Sequence, residues 1–428
     1  MSTGAVASFS APSPAARLRG KTSSVVLLMA GYDLMLATLI IVAGSQGTNL
    51  FVPPLVLWVA IYAMIALKFV TNLRPLLAVL RDNFAILAYP AIVFLSATWS
   101  LDPFHSLYSG TQLAMTYLAA FWIGWRYRPK EIALIMVLAL TPVIVLSLIN
   151  WWTGMFGEVF SFTGGLLGVF GNKNTFARMS MLLGLAALGL LVRGRNSPLH
   201  SGVLLSVLAM SAFALVLSKS ATSTIVMFGA TGLFVALTIR NYRTGYRLLI
   251  MVLGVLAVLA ACSFLALSNI DPADEILKLF GKNSTLTGRT ALWDLAIQQI
   301  ADQPWLGVGF DAYWDSNAFY AADQIQRTYG DGAISFHNFL LDIWVGLGVP
   351  GVIAIGVTLS AITTAFVRNY FVIRDVDSAM MLAIMAAGFG VAMFSPLLYD
   401  QHGNLIILLV AFAVSARIEM RRSNVSNS

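Results

Sequence analysis

The chain has 428 residues, 58% hydrophobic and only 11% charged, with a formal net charge of +7 at pH 7 and a mean hydropathy of +0.81. An ordinary soluble domain carries about 25% charged residues, so this composition excludes one. The basic surplus does not indicate nucleic-acid binding, because the cations sit in short connections between apolar runs and form no stripe with interleaved aromatics.

Residues 1–23 read as a cytoplasmic N-terminal tail carrying Arg17, Arg19 and Lys21. The apolar run that follows is long and lacks a small-residue cleavage signal, so it reads as a retained first span. Spans are expected at about 24–43, 49–70, 84–98, 110–125, 131–150, 174–192, 201–218, 221–239, 248–268, 335–366, 379–397 and 403–416. Continuous runs such as 248–267 exclude a β-barrel, whose strands alternate over ~10 residues. The fold class is an all-α polytopic membrane protein with about twelve transmembrane helices, nine of them within 24–268 and three within 335–416. The run at 335–366 holds Gly346, Gly348, Pro350 and Gly351 and is expected to be a kinked helix or a re-entrant half-helix followed by a span. A C-terminal tail at 417–428 completes the chain.

Of the 26 lysines and arginines, only Lys173, Arg178, Lys219, Lys278, Lys282, Arg289 and Arg327 fall outside the connections that alternate with the N-terminus. The positive-inside bias therefore puts both termini in the cytoplasm and the long segment 269–334 outside. In that segment, residues 289–300 place Leu292, Trp293, Ala296, Ile297 and Ile300 on one helical face, with Thr287 as N-cap and Pro304 as stop. Its apolar face, with Trp305 and Trp314 nearby, suits a helix lying at the interface. A second outer loop, 151–173, is rich in Gly, Trp and Phe.

Cations on the outer side run against the bias, and each needs a reason. Lys173, Arg178, Lys219 and Arg289 suit an anionic head group such as a lipid-linked phosphate or pyrophosphate, with snorkelling at the interface as the plain alternative. Arg289 at a helix N-terminus adds the helix dipole to its own charge. His337 opens a span and is followed by Asn338, with Asp342 inside the apolar run. A neutral imidazole is the usual general base near neutral pH; a helix-capping polar residue is the alternative. Asp342 is costly in lipid unless paired, so it is expected to orient His337 or to pair an arginine. Residues 168–175, with Asn174, lack the spacing of a nucleotide loop, and Gly307-x-Gly309 is a lone pair. The single Cys262 and the dispersed His105, His200, His337 and His402 give no metal-ligand spacing, so no metal and no cofactor is expected.

At these residues the chain resembles the bacterial O-antigen ligase and O-antigen polymerase family. The motifs are Trp99-Ser100-x-Asp102-Pro103-x-x-Ser106, Gly171-Asn172-Lys173-Asn174 with Arg178, Gly288-Arg289-x-x-x-Trp293 continuing to Pro304-x-x-Gly307-x-Gly309-Phe310, and His337-Asn338-x-x-Leu341 with Gly346-x-Gly348-x-x-Gly351. The resemblance implies a glycosyltransferase of the bacterial inner membrane, its long loop in the periplasm and containing short helices. It implies as donor an undecaprenyl-pyrophosphate-linked oligosaccharide and as acceptor a growing polysaccharide, with membrane lipid around it, a chain-length regulator and a flippase as partners, and no nucleic acid.

The family's loop arginine falls on Arg289 and its histidine on His337. Lys219 stands where the ligase branch has arginine, which brings the chain nearer the exopolysaccharide production branch. On that reading Arg289, Lys219, Arg178, Lys173 and Asn174 hold the pyrophosphate. Asn338 and Asp342 support the substrate, and His337 receives or positions the acceptor proton. Trp151 and Trp152 are candidates for stacking on sugars. The alternatives are an O-antigen ligase that transfers glycan to a lipid acceptor, and a non-enzymatic envelope-glycolipid transporter.

Overall fold

The computed structural model describes residues 24–47, 51–161, 163–194, 196–239, 289–315 and 335–426. The expected span at 248–268, the N-terminal tail, Thr287, Cys262, Lys278, Lys282 and Arg327 lie outside these residues. Apart from one isolated bridge between Phe160 and Leu166, the described elements are helical. In chain order they include α1 Ser24–Gly44, α2 Pro54–Thr71, α3 Leu73–Asp82, α4 Ala88–Leu95, α5 Pro103–Arg126, α6 Pro129–Thr153 and α7 Lys173–Val192. Then come α8 Pro198–Ser218, α9 Ala221–Thr238, α10 Arg289–Asp302, α11 Ala312–Asp315, α12 Phe339–Ile373, α13 Val376–Ala392 and α14 Asn404–Ser426.

Among them, α2, α6, α7, α8, α9 and α12 are long and apolar enough to cross a membrane. A seventh arises if α3 and the helical stretch 84–98, bent by 85°, are one broken span. This is the composition of a multi-pass membrane protein, although the described residues do not reach the expected twelve spans.

Local sequence sets the helix boundaries. Asp102 caps α5 by accepting the His105 N–H at 2.9 Å, and Pro103 follows at the first helical position. α5 therefore begins at 103 rather than at the expected 110, because its first turns are polar and hydropathy does not register them. Asn172 caps α7 and Asn338 caps α12, each accepting two backbone N–H groups. The expected kink in α12 falls at Gly348, whose φ of 59° and ψ of −154° no helical residue shares.

The packing centre is α14, in which Leu405 to Val414 are all buried. A helix apolar on every side belongs inside other helices, and this stretch of α14 is enclosed by protein neighbours. α14 also runs on to Ser426 through the segment read as a tail, since Arg417 donates to Asn83 Oδ1 at 3.0 Å and Arg421 pairs with Asp82.

Side-chain contacts define two ends. At one, Asp33 pairs with Lys68 at 2.6 Å and with Arg126 at 2.7 Å, and Arg193 pairs with Asp377 at 3.3 Å. At the other gather the start of α5, the loop before α7, the α8–α9 junction, α10, the start of α12 and the turn before α14. The candidate site lies at this second end.

Candidate functional site

His337 sits in a turn fixed from both sides. The Phe336 N–H donates to Asp342 Oδ1 at 2.8 Å, and the Phe336 carbonyl accepts from Trp293 Nε1 at 3.0 Å. The Phe336 ring is buried against Tyr313 and Trp314, with centroids 5.1 and 5.0 Å away. Between this peptide and the Asn338 cap, His337 has a φ of 52°. A left-handed β-carbon costs about 1–2 kcal/mol and persists where the surroundings hold it. The His337 side chain is partly exposed. Arg289 opens α10 one turn before Trp293, so the two backbone positions are about 6 Å apart along the helix axis. The indole bond thus sets the Arg289 end of α10 beside the His337 turn.

The two glycine pairs form one device. The segment 305–309 lies extended against α12, with Val349 N–H donating to Trp305 O at 3.1 Å, Val308 N–H to Val345 O at 3.0 Å and Gly309 N–H to Gly346 O at 2.8 Å. Its far edge is tied to the start of α5, by Leu101 N–H to Val308 O at 2.9 Å and Trp99 Nε1 to Leu306 O at 2.8 Å. A methyl group at Gly309 would collide with Ser100, and one at Gly348 with the Trp305 carbonyl. Gly307-x-Gly309 and Gly346-x-Gly348 are thus spaced for backbone contact with each other.

Lys173 and Lys219 converge on residues 163–165. The Leu166 N–H anchors that loop to Leu217 O at 2.9 Å, and Lys173 Nζ donates to Thr163 Oγ1. A methyl group at Gly164 would stand 3.1 Å from Lys219 Nζ, and one at Gly165 would stand 2.8 Å from Lys173 Cδ. The two ammonium groups are close enough to repel each other, and among the described residues neither makes an ion pair. Lys219 is also left-handed, with φ 50°, at the C-cap of α8. Asn174 Oδ1 accepts from Ser220 Oγ at 3.2 Å, tying the starts of α7 and α9.

A third group lies around the last turn, and sequence reading did not single it out. Asp311 Oδ2 accepts from Ser109 Oγ at 2.9 Å, from Gln401 Nε2, and contacts His105 Nε2 at 3.2 Å. Asp400 Oδ1 accepts the His402 N–H at 3.2 Å. Burial raises the Asp400 carboxyl above the usual carboxylate range; the His402 N–H and the Arg178 charge oppose this, and Asp311 adds to it. Burial lowers His402 to about 4, its ring stacked on Trp58 with centroids 4.3 Å apart.

Of the expected site residues, Arg289, Asn338, Asp342 and His337 share the α10–α12 junction. Asp342 is 3% exposed and braces the His337 turn. The carbonyl oxygen of Asn338 is used by its helix cap. Lys173, Asn174 and Lys219 share the loop at the α7–α8 ends. Arg178 belongs with neither: its guanidinium reaches Thr175 Oγ1 at 3.4 Å and feels Asp400, so it joins the lysine group to the carboxylate group. Trp151 packs on Phe213 with centroids 5.8 Å apart, while Trp152 is exposed. The signal for the third group was Tyr399-Asp400-Gln401-His402, a polar string between two apolar runs that reads as a plain connection.

Residues 205–356 match the family model described as O-Antigen ligase, a stretch that includes Lys219, Arg289 and His337. The family resemblance holds. Over 292 residues the chain is 27% identical to the exopolysaccharide production protein ExoQ of Rhizobium meliloti (strain 1021). That alignment covers 66% of this chain and 64% of ExoQ, so the chain spans just under two thirds of its relative. The family stretch ends at 356, before the Asp400 turn, and begins after Lys173 and Arg178.

Proposed function

We propose that the protein is a membrane glycosyltransferase of the exopolysaccharide and O-antigen kind. It joins oligosaccharide repeat units carried on undecaprenyl pyrophosphate at the periplasmic face of the inner membrane, with both termini in the cytoplasm. One observation carries this reading: the indole bond from Trp293 to Phe336 joins the Arg289 helix to the His337 turn, at the end where Lys173 and Lys219 make no ion pair among the described residues. The paired cations at the opposite end support its assignment as cytoplasmic.

The chemistry follows from these groups. An acceptor sugar hydroxyl attacks the anomeric carbon of the donor, and the bond from that carbon to the phosphate oxygen breaks. The hydroxyl proton passes to His337. The departing lipid pyrophosphate keeps the bonding electrons, and Arg289, Lys219 and Lys173 stabilise the charge it gains. Attack on a growing glycan makes the enzyme a polymerase; attack on a lipid acceptor makes it a ligase. The family model's description favours the ligase, whereas the name of the ExoQ relative and the lysine at 219 favour the polymerase.

The test is a strain lacking the gene, complemented with Arg289→Ala or His337→Ala. Loss of polymer with normally inserted protein is expected, and normal polymer from both variants ends the catalytic reading. Single repeat units accumulating on the carrier lipid identify a polymerase, and full-length chains a ligase.

A further inference from the structure

The carboxylate of Asp311 is arranged unlike the others at this end. Ser109 and His105, one turn apart on α5, and Gln401, from the turn before α14, all meet at Oδ2. Among the described residues no donor reaches Oδ1. The side chain is 27% exposed, against 3% for the Asp342 residue. The backbone beneath it is held tightly. Phe310 N–H donates to Ser96 Oγ at 3.1 Å, Phe310 O accepts from Ser106 Oγ at 2.6 Å, and Asp311 N–H donates to the Tyr399 hydroxyl at 2.6 Å. Asp311 itself is left-handed, with φ 60°.

One oxygen is thus saturated by three donors from two elements. The other accepts no hydrogen bond among the described residues, and its direction is set by that saturation. A strained residue on a rigid support, presenting one unused acceptor to solvent, has the form of a preorganised ligand contact. The charge pattern restricts the ligand. The Asp311 carboxylate stands on this side, whereas Lys173 and Lys219 converge on residues 163–165, so a diphosphate is drawn to the lysines. A hard divalent cation needs about six or more oxygens, and here a single one is open. What remains is a neutral molecule that donates hydroxyl hydrogen bonds.

We infer that Asp311 is an acceptor-binding residue, whose Oδ1 takes a hydroxyl of the incoming glycan. This rests on the glycosyltransferase reading for the identity of the ligand. It divides the outer end into a cationic side for the lipid-linked donor and a carboxylate side for the sugar that attacks. The Tyr313–Phe336 ring contact, 5.1 Å between centroids, links the carboxylate side to the His337 turn.

The decisive variant is Asp311→Asn. Asparagine tolerates the left-handed backbone, and its carbonyl oxygen can keep the three donors of the network. Its amide then puts a donor where the open acceptor stood. The probe is the repeat-unit oligosaccharide released by mild acid from the host strain's own polysaccharide, titrated by saturation-transfer NMR against the purified full-length protein in detergent. We expect an affinity about 10- to 100-fold weaker, the usual effect of losing a hydrogen bond to a charged group, with thermal stability near that of the parent. Acceptor KM rises and donor KM stays unchanged.

Parental affinity in Asp311→Asn overturns the assignment and leaves Asp311 as a strut between α5 and the last turn. Should that variant fail to insert, Asp311→Gly, which relieves the positive φ, replaces it with the same expectation. The glycosyltransferase reading is judged separately, by polymer formation in Arg289→Ala and His337→Ala. If those two retain polymer while Asp311→Asn loses the oligosaccharide, the sugar site stands and the transfer chemistry falls.

Discussion

The two ends of the helical bundle treat charge in opposite ways. At the basic end several cations find carboxylates: Asp33 serves both Lys68 and Arg126, Asp377 serves Arg193, and Asp82 serves Arg421. At the other end Lys173 and Lys219 stand together without an anion among the described residues, and Asp311 takes its hydrogen bonds from a serine, a glutamine and a histidine. Pairs of opposite charge neutralise one another and hold helices together. Groups of one sign kept apart from the other sign leave a field that a ligand can satisfy. On the proposed function, the difference separates a structural end from the end that binds substrate. Three residues of the binding end, Lys219, Asp311 and His337, also share a left-handed backbone that side chains ordinarily avoid.

That contrast can be broken by mutation. The largest effect is expected at the reacting groups: His337→Ala and Arg289→Ala should lower the transfer rate by about 10²- to 10⁴-fold, measured per inserted molecule in reconstituted membranes. Next come Lys173→Ala and Lys219→Ala, each weakening the donor by about 10- to 100-fold. Lys219→Asn, which tolerates the same backbone, separates charge from strain, and an unchanged donor KM there would remove Lys219 from the site.

At the basic end the expectation reverses. Asp33→Asn strands two partly buried cations and should cost about 3 kcal/mol of stability, read from thermal unfolding in detergent, with the rate per folded molecule unchanged. A fall in rate at full stability would show that the two ends are not independent.

The smallest effect is one of pH. Burial holds His402 neutral, lowering it to about 4, whereas an unfolded histidine titrates near ~6.5. The unfolded chain therefore takes up this proton first. The stability this group contributes is complete above about pH 6.5 and is lost as pH falls toward 4, about 2 kcal/mol after allowance for water. His402→Phe, which keeps the stack on Trp58, should flatten the pH dependence of the melting temperature between those values.

Much of this was legible in the sequence. Hydropathy located the described spans to within a few residues at most ends, because an apolar run must be long enough to cross lipid whatever surrounds it. Caps such as Asp102-Pro103 and Asn172 were present in the sequence but polar, so the start of α5 was read too late. The motif residues Arg289, Trp293, His337 and the glycines were visible, and their grouping by sequence order proved meaningful in space. The third group was not legible. His105, Asp311 and Gln401 lie on three separated segments, and nothing local distinguishes them from ordinary polar residues at helix ends.

The amino-acid sequence by itself determined a helical chain with apolar spans, basic connections on alternate turns and cations where the charge bias disfavours them, since hydropathy and charge are sums over neighbouring residues. Only the tertiary structure decided which polar groups meet. It joined two glycine pairs into one backbone contact and brought His105, Ser109 and Gln401 to one oxygen of Asp311. Such contacts depend on the distances between helices far apart in the chain, and no local pattern encodes them.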